Sequence, residues 1–192
     1  MKDYEREYPL FSACGLNCGL CPRYHTKGTS RCPGCAGKGF EKVHPSCGVL
    51  SCSQREGVDY CYLCDEFPCK KYHNADQADS FITQKNQLKD LERAKSIGLK
   101  EYQSELDRKV DLLEFLLNNY NDGRRKNFYC IAVNLLPLSD VDDIIKVVEE
   151  KISPHDIELK SKIEQVVVLF KDKAQQRNID LTLRKKPLCE AK

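Results

Sequence analysis

The sequence predicts a mainly α protein: a small metal-stapled, cysteine-rich N-terminal domain followed by a helical bundle-like domain. Three observations predict it. Ten of the twelve cysteines fall between Cys14 and Cys69. Beyond residue 75 glycine becomes scarce, only Gly98 and Gly123 remaining. There, apolar residues recur at intervals of three or four, the period of a helix that buries one face. The change in composition sets the expected limits, 10–75 for a cysteine-rich metal-binding domain and 76–186 for a helical domain of about five amphipathic helices.

A chain of 192 residues can bury a core without staples. The cysteine density therefore needs its own reason, either disulfides or metal. No apolar run follows a basic start, so nothing reads as a secretory leader. None approaches the roughly 18 residues of a membrane span. The expectation is a cytoplasmic protein, in which thiols stay reduced, and this moves the reading from disulfides to metal. Lys and Arg total 31 against 29 for Asp and Glu, a net charge of +2, and Trp is absent. That balance does not call for nucleic acid. Arg184, Lys185 and Lys186 make the densest basic patch, expected as a solvated tail.

The cysteine region opens with "CGLNCGLCPRY", which places Cys14, Cys18 and Cys21 close together. Three CxxC pairs follow one another: Cys18–Cys21, Cys32–Cys35 and Cys61–Cys64. Such a turn can aim backbone N–H groups at sulfur and let two thiolates reach one ion; two pairs complete a tetrahedral zinc site. The simplest closure joins Cys18 and Cys21 to Cys32 and Cys35. A second site would draw on Cys47, Cys52, Cys61, Cys64 and Cys69. Two zinc ions are therefore expected, but ten thiols exceed eight ligand positions. Either Cys14 and one of the second group are surplus, or two metals share ligands, or a third cofactor exists. His25, His44 and His73 stand near cysteines as substitute ligands or as plain surface histidines.

After the cysteines, Phe81, Leu88, Leu91 and Ala94 mark a helix ending by Gly98. Leu99, Tyr102, Leu106, Val110, Leu113, Leu117 and Tyr120 share one face of a longer helix that stops before Gly123. Phe128, Ile131, Ala132, Leu135 and Leu136 form a shorter face ahead of Pro137, with Cys130 as a small buried hydrophobe. Ser139 with Asp142 reads as a capping box opening the helix of Val141, Ile144, Ile145 and Val148. Ser153, Pro154 and Asp156 read as the next start, before Leu159, Ile163, Val166, Val167, Phe170 and Ala174. "VVVLF" has strand propensity, but its polar flanks at helical period favour helix. Ile179, Leu181 and Leu183 alternate as a short terminal strand would. The helices would form the partner-facing or self-associating part; no partner is named by the sequence.

Catalytic signatures are thin. Glu41 and Glu66 belong to no HExxH arrangement, the lysine of "GCAGKGF" precedes Gly39 rather than Ser or Thr, and GxSxG is absent. Cys14, Cys18 and Cys21 have the spacing of a radical iron–sulfur enzyme, yet the strand alternation of a barrel is missing. An iron–sulfur redox or sulfur-transfer protein is the alternative, since ten cysteines could hold two four-iron clusters. The leading reading is a zinc-binding protein with structural metal and a binding or regulatory role. A metal-dependent enzyme comes third.

"CGLNCGLCPRY", "CPGC", "GVDYCYLCDEFPC" and "ERAKSIGLKEYQ" together resemble a cysteine-rich bacterial and archaeal family of unknown function, DUF3795. The resemblance is close over residues 10–73 and looser over the following helix. Its pattern falls on Cys14, Cys18, Cys21, Cys32, Cys35, Cys47, Cys52, Cys61, Cys64 and Cys69. It implies zinc as the metal and no settled activity.

Overall fold

The computed structural model describes residues 4–73 and 77–185. Lys186 of the basic patch and Cys189 lie outside them. Among the described residues the protein is helical without a named strand; its one isolated bridge joins Phe11 to Asn17. The helices are α1 (Phe40–Val43), α2 (Gly48–Arg55), α3 (Gln87–Ile97), α4 (Leu99–Asn119), α5 (Lys126–Leu135), α6 (Leu138–Val147) and α7 (Leu159–Gln176). Among the described residues no helix is long and apolar enough to cross a membrane. The chain divides into two compact units, residues 1–106 with 183–192, and residues 107–182. The limits expected from composition, 10–75 and 76–186, do not coincide with these. Composition records where the cysteines stop, whereas α3 and the first turns of α4 still belong to the first unit.

In the first unit, short turns lie over a small aromatic core. Phe11 is fully buried, stacked on Tyr60 at 5.3 Å and tilted against Tyr102 at 4.6 Å. Asn17, also buried, fixes its loop to two helices. Its Nδ2 donates to Asp90 Oδ2 of α3 at 2.9 Å, and its Oδ1 accepts from the Tyr102 hydroxyl of α4 at 2.9 Å. Such a satisfied amide costs little to bury and specifies one arrangement. α3 starts at Gln87, later than Phe81 suggested. Phe81 is 62% exposed, with the Arg23 guanidinium 5.1 Å from its ring centroid. Gly98, at φ 92°, ends α3 as expected.

The return of residues 183–185 to this unit corrects the solvated-tail reading of Arg184. Its Nη2 meets Asp79 Oδ1 at 2.9 Å, and the Asp79 side chain is fully buried. The backbone joins in: Asp79 N–H donates to Arg184 O at 2.9 Å, and Arg184 N–H to Asp79 Oδ2 at 2.8 Å. Burial alone would push the Asp79 carboxyl up; hydrogen bonds from Arg184 and Gln84 outweigh it and hold it below its ordinary value.

The second unit is packed from the rest of α4 and α5 to α7. Leu113, Leu116, Tyr129, Val133, Val141 and Phe170 are wholly buried. The Tyr129 ring meets Phe170 edge-on at 6.0 Å, and its hydroxyl donates to Tyr120 O at 3.0 Å, so this buried phenol is satisfied. Lys109 Nζ donates to Leu136 O at 2.7 Å and Asn134 O at 3.3 Å, covering carbonyls that the end of α5 leaves open. Cys130 is 2% exposed, the packed thiol its apolar setting predicts.

Three local readings are corrected. The Ser139–Asp142 capping box does not form, because Pro137 is the N-cap and no side chain caps the helix. Pro137 O accepts the N–H groups of Asp140 and Val141 at 3.1 and 3.2 Å, while Asp142 is taken by Arg108 at 2.9 Å. Ser153 does not start α7 either. α6 runs on through a π turn, Val148–Ile152, and Ser153 N–H closes it on Val148 O at 2.8 Å. α7 then opens at Leu159, and "VVVLF" lies inside it with Val166, Val167 and Phe170 buried. Finally, Ile179 to Leu183 is irregular, Asp180 Oδ1 accepting the Thr182 N–H at 3.0 Å in a local turn.

Candidate metal centre

Two of the three CxxC pairs adopt the same conformation. Cys18–Leu20 and Cys61–Leu63 are single 3₁₀ turns, closed by Cys21 N–H on Cys18 O at 3.1 Å and by Cys64 N–H on Cys61 O at 3.0 Å. The second cysteine of each is extended, at φ −80° and ψ 135° in Cys21 and φ −85° and ψ 137° in Cys64. The third pair, Cys32–Cys35, bends through Gly34 at φ 93°, and Cys35 N–H donates to Pro9 O at 2.8 Å. A Cβ at Gly34 would stand 2.5 Å from that same Pro9 oxygen, so only glycine fits the approach. Cys32 N–H donates to Arg23 O at 3.0 Å, which ties the third pair to the first.

The remaining cysteines occupy element ends. Cys47 is the N-cap of α2, its Sγ accepting the Leu50 N–H at 3.5 Å. Cys52 lies within α2, and Cys69 precedes the 3₁₀ turn Lys70–Tyr72. Cys14 sits in a tight loop, its Sγ 3.1 Å from Ser12 Oγ. Cys14, Cys18, Cys21, Cys32, Cys35, Cys47, Cys52, Cys61, Cys64, Cys69 and Cys130 are all free thiols.

Burial dominates the electrostatics of the inner thiols. It pushes Cys14, Cys18 and Cys21 above the ordinary thiol value, Cys35 to about 12 and Cys61 to about 11. Neighbouring thiols raise Cys18 further: Cys35, Cys14, Cys21 and Cys32. Opposing this, backbone N–H groups point at sulfur: Arg23 and Tyr24 at Cys21, Ala13 at Cys35, Leu16 at Cys14. The Tyr72 hydroxyl hydrogen-bonds Cys61 and donates to Cys14 O at 3.3 Å, linking the two thiol groups. Cys52 Sγ accepts from Arg55 Nη2 at 3.5 Å.

The structure thus brings Cys14, Cys21, Cys32 and Cys35 into the neighbourhood of Cys18. Separately, Cys52, Cys61, Cys64 and Cys69 line one cavity of about 30 Å³, whose lining does not include Cys47. Among the described residues no group of three or more His, Cys, Asp or Glu is assembled as it would be around an ion. His25 Nε2 lies 2.7 Å from Gly19 O; His44 Nδ1 lies 2.8 Å from Pro45 O, its ring stacked on Phe40; His73 is exposed. Glu41 and Glu66 are exposed as well. Tyr72 and Asn17 are the positioning residues that sequence reasoning missed. No spacing rule marks a tyrosine that will face a sulfur or an asparagine that will bridge two helices.

Residues 10–74 match the family model described as "Protein of unknown function (DUF3795)", the family the motifs resembled. No curated protein and no solved structure matches the chain.

Proposed function

We propose that the first unit is a zinc-binding module with structural metal, and that the protein serves a binding or regulatory role. The observation that carries this reading is the donor set: free thiols in paired turns, with backbone N–H groups aimed at their sulfurs. Burial disfavours the ionised form of these thiols, and Arg23 near Cys21 and Arg6 near Cys35 do not offset it. A divalent ion supplies the missing positive charge, and thiolate ligands repay it with folding energy. Cys18 and Cys21 with Cys32 and Cys35 would hold one ion; the second group would hold another. Thiols in this number also suit a reducing compartment, the cytoplasm.

Elemental analysis of protein purified under nitrogen without added metal, with a visible spectrum beside it, tests the proposal. About two zincs per chain and a colourless solution are expected, two tetrathiolate sites each taking one filled-shell ion. Iron with matching acid-labile sulfide and a brown solution would overturn zinc in favour of clusters.

A further inference from the structure

We infer that Cys52, Cys61, Cys64 and Cys69 are the four ligands of a single mononuclear zinc site, distinct from the thiols of the "CGLC" and "CPGC" turns. The inference rests on the metal-binding reading above and adds the ligand set and the nuclearity. Spacing alone left five candidates for the second site; the fold separates them. Four come from three different elements, α2, the turn Cys61–Leu63 and the entry to Lys70–Tyr72, and line one cavity without yet being drawn together as around an ion. The fifth, Cys47, caps its own helix, lies near Cys14 and Cys35 of the first thiol group, and does not line the cavity.

The cavity is small. A volume of about 30 Å³ accommodates an occupant on the scale of one water molecule. Four thiols around one small cavity match the ligand count of a single zinc ion. The local turn also suits a tetrahedral ion, since Cys61 and Cys64 repeat the backbone of Cys18 and Cys21. Four thiolates around zinc carry a net double negative charge. Lys71 and Glu56 both line the cavity, and the Arg55 guanidinium reaches Cys52 Sγ while paired with Glu56 at 2.8 Å. Phe67 and Tyr72 complete the lining, and a zinc ion whose four ligands are all thiolates keeps no open position, which makes the site structural rather than catalytic.

Thiol footprinting of the whole chain tests the assignment. Metal-stripped protein is titrated with zinc, alkylated with iodoacetamide, and each cysteine is read by peptide mass spectrometry. The expected result is protection of Cys52, Cys61, Cys64 and Cys69 together, at one midpoint that Cys47, near Cys14 and Cys35, does not share. Protection of Cys47 in place of any of the four, or one of the four left at its metal-free rate under saturating zinc, overturns the assignment. Zinc that protects only Cys18, Cys21, Cys32 and Cys35 also overturns it while leaving the metal-binding reading intact; no zinc uptake removes both. A Cys64→Ser chain should lose one bound zinc and keep protection at Cys18, Cys21, Cys32 and Cys35. Retention of the full zinc content would count against the site. The wild-type footprint decides the matter even if that variant fails to fold.

Discussion

Gly34 shows how much of this centre depends on a missing Cβ. Its φ of 93° and the 2.5 Å approach to Pro9 O leave no room for a side chain. That oxygen also receives the Cys35 N–H. Gly34→Ala should therefore destabilise the first unit by about 1–3 kcal/mol, the cost of one strained backbone position. A lowered midpoint in denaturant-induced unfolding, accompanied by weaker zinc retention, is the expected readout; an unchanged midpoint would show that the Pro9 segment can move aside. At this scale the sequence was legible in part. The CxxC pairs could be read from spacing because both partners lie on one turn. The meeting of Cys52 with Cys69 could not, because it depends on how α2 and two separate turns pack.

The helices were the most legible elements, since a buried face repeats with the helical period whatever it packs against. α4, α5 and α7 carry most of the faces read from their apolar residues, except that Leu159 is exposed and Leu116 rather than Leu117 is fully buried, and even the β-branched run "VVVLF" yields to that period. Starts were less legible. A capping signal competes with every tertiary partner of its side chain, and Asp142 is used by Arg108 instead. Asp140, buried in the first turn of α6, accepts two hydrogen bonds from Arg177, the C-cap of α7, at 2.7 and 2.8 Å. These bonds, then the nearby positive charges of Arg177 and Lys173, hold its carboxyl below the ordinary value of 3.8 despite burial. A depressed carboxyl contributes stability that is complete above the unfolded value and lost as pH falls through the folded one. Wild type should thus lose part of its margin over Asp140→Asn below about pH 4. Thermal melts of both chains at pH 7 and pH 3 check this: a gap in midpoint at neutral pH that narrows in acid is expected, and a pH-independent gap would assign the effect to packing alone.

On the scale of the whole molecule, the two units answer differently to metal. The first has small aromatic packing under its thiol turns, whereas the second has a continuous apolar core with only Cys130 inside it. Chelation should open the first unit and leave residues 107–182 folded, because metal binding is folding energy only where the ligands are. Limited proteolysis after chelator treatment is the check: new cuts are expected among residues 10–73, with α5 to α7 still resistant. Cuts spread evenly over the chain would mean that the units melt as one. The Asp79–Arg184 clip also bears on how the chain is made. Nearly all of the first unit is synthesised early, yet the guanidinium that neutralises Asp79 follows the entire second unit out of the ribosome. The segment 107–182 can therefore fold while the unit begun before it still waits for its last contact. Final closure of the first unit thus follows synthesis of residues 107–182, and a nascent chain arrested before residue 183 would leave Asp79 without Arg184.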